Sequence, residues 1–205
     1  MNTQTATPNK TTGRDARFVE YLLTLRDNAS ARSALRDGDQ QVLAYRALPY
    51  IAPWHYEGPA LDAALLFASV IAGNSTIRHT PGVSLGRALY RAVTAGDLSE
   101  RAASSRLVTV QRQPLALAHR TLKGPFASLG RTRSASLDWY RVLKMYLNWD
   151  RDDLDKQRKT RRRLLLDFYG SAPPPGWHVD VSSPPTQRQT SIHPSTPTQS
   201  GDSLS

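Results

Sequence analysis

From Arg14 to Gly170 the apolar residues recur three and four apart, and no segment alternates apolar with polar residues as a half-buried strand does. A chain patterned in this way buries its side chains by forming helices and packing them on one another. The sharpest instance is Asp152–Gly170, DDLDKQRKTRRRLLLDFYG. At helical spacing Leu154, Leu164, Leu165 and Phe168 share one face, while Lys156, Arg158, Lys159, Arg162 and Arg163 project from others. Such a helix docks by one side and offers dense positive charge on the other. Asp150, Asp152, Asp153 and Asp155 crowd its start, where unpaired amide N–H groups and the positive dipole end favour carboxylates, so they read as caps. An EF-hand-like loop would need a Gly at its sharp turn and a distal Glu, and the run from Asp150 has neither.

Gly and Pro divide the rest of the body. Phe18, Leu22 and Leu25 predict a helix over Arg14–Asn28. Ser30 is placed to cap a short helix through Leu35 and Arg36 that stops at Gly38, and Asp39 to cap another reaching Leu48 before Pro49. Pro49, Pro53 and Pro59 make a stiff connection whose Tyr50, Trp54 and Tyr56 are expected to plug the bundle. A helix follows over Ala60–Ala72; its apolar run contains Asp62 and falls well short of the ~20 residues that span a bilayer. Ser84 begins SLGRALYRAV, ended by Gly96. Asp97 or Ser99 begins the next helix, to Gln111, and Pro114 suits the first turn of one to Leu122. Gly124-Pro125 and Gly130–Ser136 read as loops, and Ser136 as the cap of a long helix with a core stripe of Leu137, Tyr140, Leu143 and Leu147.

The expected fold class is therefore all-α: a compact helical body over residues 14–170, as one bundle or as two small ones (about 14–95 and 97–170) joined near Gly96. Residues 1–13, rich in Thr, Asn and Gln, and the Pro-, Ser- and Thr-rich tail 171–205 are expected to be disordered, because they hold too little apolar surface to offset chain entropy.

Charge narrows the function. The 205 residues carry 27 Lys and Arg against 17 Asp and Glu, a formal net charge of +10. From Arg112 to Arg163 there are fourteen Lys and Arg and five Asp, so this quarter of the chain alone carries +9, whereas the tail is weakly negative. Clustered positive charge captures polyanions, which makes nucleic acid the leading partner and an anionic membrane the second. There are no cysteines, which excludes disulfides, thiol catalysis and Cys-based zinc sites and is compatible with a reducing cytoplasm. The opening MNTQTATPNKTTG has no signal-peptide core.

No enzymatic signature accompanies the charge. His55, His79, His119, His178 and His193 show neither HExxH spacing nor a close pair, and GxSxG, GxxxxGK[ST] and GxGxxG are all missing. A two-metal site would gather carboxylates that are sparse here, so neither a metal nor another cofactor is expected. Arg101, Arg106, Arg112, Arg120, Lys123, Arg131, Arg133, Lys144 and Arg158 recur on successive helices and loops, so that packing is expected to merge several of them into a stripe that tracks a phosphate backbone. No RNP pattern, zinc finger or KH loop argues for sequence readout.

Ile77-Arg78-His79, Ser84-Leu85-Gly86-Arg87-Ala88-Leu89, Ser99-Glu100-Arg101, Leu137-Asp138-Trp139 and Asp167-Phe168-Tyr169 occur in that order. In this the chain resembles the CasB family, the small subunit of the type I-E CRISPR surveillance complex Cascade. The resemblance implies an all-helical, non-catalytic subunit that sits as a pair with other Cascade subunits beside the crRNA and the target strand. It further implies that the subunit steadies the displaced non-target DNA strand and so the R-loop. Carried over on matching positions, the resemblance assigns nucleic-acid contact to Arg36, Arg87, Arg112, Arg120 and Arg158. Lys123, Arg131, Arg133 and Arg162 join them on charge alone. Asp37 stands where a second Arg is common in the family, and Leu164–Leu166 where a Trp is; the tail lies outside the resemblance.

The expected function is thus nucleic-acid binding in a cytoplasmic complex, without enzymatic activity and without a membrane partner. The alternatives are a free-standing helical DNA-binding regulator, which would need a helix-turn-helix, and a peripheral membrane or interaction module using KQRKTRRRLLL as a basic amphipathic helix.

Overall fold

The computed structural model describes residues 13–132 and 135–171; the expectations for residues 1–12, for Arg133 and for the tail beyond Ser171 lie outside them. Helix α4, Gly58–Gly73, is the spine. Its Ala63, Ala64, Leu65, Phe67, Ala68, Val70, Ile71 and Ala72 are all buried, so it is apolar nearly all round and has helices on several sides. The partners laid on it are α1 (Arg14–Thr24), α2 (Ala29–Arg36), the short α3 (Leu48–Ile51), α7 (Leu115–Arg131) and α8 (Trp139–Leu147). Helices α5 (Leu85–Thr94) and α6 (Glu100–Val110) complete the body with α9 (Leu154–Tyr169). One apolar core runs unbroken from Phe18 to Phe168, so segments on both sides of the positive-φ turn at Gly96 share it.

Local chemistry fixes most helix starts. Ser84, Ser99, Asp138 and Asp153 each accept an N–H from the first turn of the helix that follows. The Asp153 carboxyl is held below its ordinary range by the Lys156 amide and side chain. Trp54 and Tyr56 pack against Phe18 with centroids 5.4 and 5.1 Å away, and Tyr50 packs on the same core, as plugs. At Gly86 a Cβ would lie 2.5 Å from the Leu164 carbonyl oxygen, so α5 meets the backbone of α9 where only Gly fits.

Several elements differ from the sequence expectation. The cap of α2 is Asn28, whose side chain accepts from Ala31 N at 3.0 Å, and Ser30 lies inside the helix. Asp39 caps nothing: its carboxylate is taken by His119 and Lys123, and residues 40–47 form turns and one 3-10 turn. Helix α7 runs straight through Gly124-Pro125. An interior Pro costs roughly 3 kcal/mol, but burying Leu122, Phe126 and Leu129 contributes about 1.5–3 kcal/mol each and outweighs it. Phe126 also stacks on Trp139 at 6.1 Å.

Two short parallel strands, β1 (Arg78–His79) and β2 (Ser136–Leu137), pair where the sequence shows no strand pattern. Arg78 N donates to Ala135 O at 3.0 Å and Thr80 N to Leu137 O at 2.9 Å. Two residues are too few to show a period of two. Ser136 therefore belongs to a strand, and α8 starts two residues later behind Asp138. Its buried stripe is Trp139, Val142, Leu143 and Tyr146, while Tyr140 is exposed. In α9 Leu164 and Phe168 are buried and Leu165 packs against them, but Leu154 is 59% exposed.

Candidate nucleic-acid interface

Helix α7 buries Leu115, Ala118, His119, Leu122, Phe126 and Leu129, which turns Arg120, Lys123, Ala127 and Arg131 to solvent. Arg120 and Arg131 are eleven residues apart, three helical turns, so they stand in one row about 16 Å long with Lys123 at its edge. No carboxylate lies within ion-pair distance of Arg120 or Arg131 among the described residues.

A second group forms where α6 and α9 run antiparallel. The Ser104 and Tyr169 hydroxyls meet at 2.5 Å at one end, and Gln111 Nε2 donates to Arg161 O at 2.8 Å at the other. Arg112 follows Gln111 at the end of α6 that meets Arg161, and Arg158 and Arg162 lie on α9 within a turn of Arg161; all three are exposed and lack a carboxylate partner among the described residues. Arg161 itself is structural: its guanidinium donates to Trp149 O, Gln111 O and Asp150 and lies 5.5 Å from the Trp149 ring.

A third location is a polar groove of about 470 Å³ between the end of α2, the end of α4 and α7, lined by Arg36, Asp37, Asp39, Gln40, Asn74 and Lys123, among others. Here Lys123 pairs with Asp39 rather than standing free. Asp39 Oδ2 also receives His119 Nε2 at 3.3 Å, and His119 Nδ1 meets the Tyr146 hydroxyl at 3.1 Å. A carboxylate only accepts, so Nε2 carries the His119 proton and Tyr146 donates to Nδ1. Burial pushes the His119 pKa below its ordinary value, against the pull of Asp39, and leaves the imidazole neutral at neutral pH. Burial alone would raise the Asp39 carboxyl, but Lys123 and then His119 hold it below the usual carboxylate range.

Of the nine cations named as contacts, those on described residues fall in separate places. Arg120, Lys123 and Arg131 stand together on α7, and Arg36 shares a groove with Lys123. Arg112, Arg158 and Arg162 are exposed along the α6–α9 pair. Arg87 is exposed on α5 beside the Gly86 contact with α9, and Arg133 lies outside the described residues. Of the wider set, Lys144 is tied to Asp15 at 2.6 Å and Arg106 reaches back toward Gly124. An apolar groove of about 380 Å³ between α5, α8 and α9 holds none of the nine; its Arg141, Lys144 and Arg163 are paired with Asp138, Asp15 and Asp167. Sequence reasoning missed Asp39 and His119, because an Asp after a Gly reads as a cap and a lone His as core.

Among the described residues no three His, Asp or Glu side chains come together as a metal site requires, and no helix is long and apolar enough to cross a membrane.

Residues 29–169, well over half of the chain and the span that holds all nine cations, match the family model of CRISPR-associated protein Cse2. The chain belongs to the Cse2 family. Solved Cse2-type structures share the fold. A Cse2-family protein from Thermus thermophilus is 21% identical with a TM-score of 0.60, over 76% of this chain and 97% of its own. CasB from M. ruber is 18% identical with a TM-score of 0.60, over 78% and 95%. A chain of a CRISPR RNA-guided surveillance complex is 22% identical with a TM-score of 0.64, over 77% and 92%. No curated protein sequence matches the chain. Helix α1, which carries Phe18 into the core, precedes the span matched by the Cse2 model.

Proposed function

We propose that this Cse2-family chain is the small subunit of a type I-E Cascade complex, and that it stabilises the R-loop by holding nucleic-acid backbone without reading sequence. The observation that carries this is the pair of exposed cationic groups, Arg120 with Arg131 on α7 and Arg112 with Arg158 and Arg162 along the α6–α9 pair, on a fold shared with a surveillance-complex chain. Arginines without carboxylate partners keep their full charge for phosphates, and exchange of one duplex for another is so nearly balanced that a few backbone contacts tip it. The strands held are the displaced non-target strand and the crRNA–target backbone. The protein partners are the other Cascade subunits and a second copy of this chain, and the setting is the cytoplasm. The role is one of binding, with no catalytic step.

The test replaces Arg112, Arg120 and Arg158 together with Ala and measures target binding by the reconstituted complex across salt concentrations. Every phosphate that is no longer held lowers the salt slope by ~1, so affinity and a slope of about 2 to 3 disappear together. Unchanged affinity and slope would sink the proposal.

A further inference from the structure

The groove between α2, α4 and α7 contains a cation that is already spoken for. Lys123 stands at its wall with Arg36 opposite, yet Lys123 Nζ rests on Asp39. Asp39 is almost buried, with 7% of its side chain exposed, so it cannot simply turn to water if Lys123 leaves. Its other contact is His119 Nε2, 1% exposed, on the preceding turn of the same helix as Lys123. A buried carboxylate that loses one cation demands another, and the neutral imidazole beside it is the one group that can supply it by taking a proton.

We propose that the groove is a phosphate seat gated by Asp39: a backbone phosphate draws Lys123 off Asp39, and His119 takes up one proton to become the replacement counter-charge. This rests on the reading of the chain as a nucleic-acid-binding subunit. The proton goes to Nδ1, since Nε2 already donates to Asp39, and the Tyr146 hydroxyl turns from donor to acceptor. The charges that face His119 are Asp39 from the turn after α2, Lys123 and Arg120 from α7, and the neutral Tyr146 hydroxyl from α8. Departure of Lys123 removes a nearby positive charge and uncovers a negative one. Both changes favour imidazolium, so the bound state holds more protons than the free state and binding strengthens as pH falls. Arg36 gives the phosphate a second contact.

The experiment uses the reconstituted complex and a target duplex, with affinity measured at about pH 6 and about pH 8, the range in which a histidine titrates. Wild type is compared with Asp39→Asn, His119→Gln and Lys123→Gln. Uptake of one proton allows at most about tenfold in affinity per pH unit. The wild type gains several-fold on acidification beyond what His119→Gln and Lys123→Gln show, and those two share one flatter profile. Asp39→Asn releases Lys123 and binds more tightly than wild type at pH 8, the opposite of what loss of a merely structural carboxylate does. A His119→Gln profile superimposable on wild type overturns the proposal, as does weaker binding by folded Asp39→Asn at pH 8. If Asp39→Asn does not fold, the other two variants decide alone. A normal drop in salt slope in the Arg112, Arg120 and Arg158 variant with no pH difference defeats only the gated seat; an unchanged salt slope defeats the nucleic-acid reading itself.

Discussion

Helices α7 and α9 both carry the positive charge of the chain, and they use it differently. Helix α9 has the denser run, KQRKTRRR, but half of it is taken up inside the molecule. Lys156 caps back to Asp153, Arg163 pairs with Asp167 at 2.7 Å, and Arg161 ties Trp149, Gln111 and Asp150 together. Helix α7 has only three predicted cations, and its buried face is complete without them: Lys123 is taken by Asp39, while Arg120 and Arg131 stay exposed with no carboxylate partner among the described residues. Charge density along a sequence therefore does not locate a binding surface. What locates it is the charge left over after the fold has taken its share.

The comparison breaks most visibly at Arg161. Arg161→Ala removes a half-buried set of charge-assisted hydrogen bonds and is expected to cost about 2 kcal/mol in denaturant unfolding; a stability unchanged from wild type would return α9 to the class of solvated charge runs. On α7 the expectation is reversed. Arg120→Ala with Arg131→Ala leaves unfolding within ~0.5 kcal/mol, because exposed sites away from packing change little, but lowers the salt slope of target binding by about 2. The smallest effect is at Arg163, whose partner is four residues along the same helix and whose side chain is 67% exposed. Arg163→Ala is expected to move stability by less than about 0.5 kcal/mol and the salt slope not at all; a slope change there would show that the Asp167 pair opens to phosphate.

Much of the architecture was legible because it is written in local patterns. The helix starts at Ser84 and Ser99 and the apolar stripe on α1 need nothing beyond neighbours in sequence. The misreadings share one cause, a distant partner that overrides a local preference. Pro125 stays helical because Phe126 has Trp139 to stack on, and Asp39 declines its helix because Lys123 and His119 reach it from α7. The same holds for the site. Charge and resemblance single out Arg112, Arg120 and Arg158 as candidates, but which cations are neutralised, as Lys123 is by Asp39, is decided by crossings that no spacing rule contains.

The β1–β2 pairing carries a consequence for how the chain is wired. It joins the place where α5, α6 and α7 leave the spine to the place where they return: Arg78 is bonded to Ala135, Thr80 to Leu137, and Gly82 N to Asp138 Oδ2 across 56 residues at 2.7 Å. The chain from α5 to α7 is thus a loop whose two roots are stapled side by side, with α7 also packed on the spine itself. A rigid root makes the outer face of α7 move with α4 rather than independently of it. If a strand lies along α7 as proposed, tension on it is carried into the core through both roots, which is what an anchor needs.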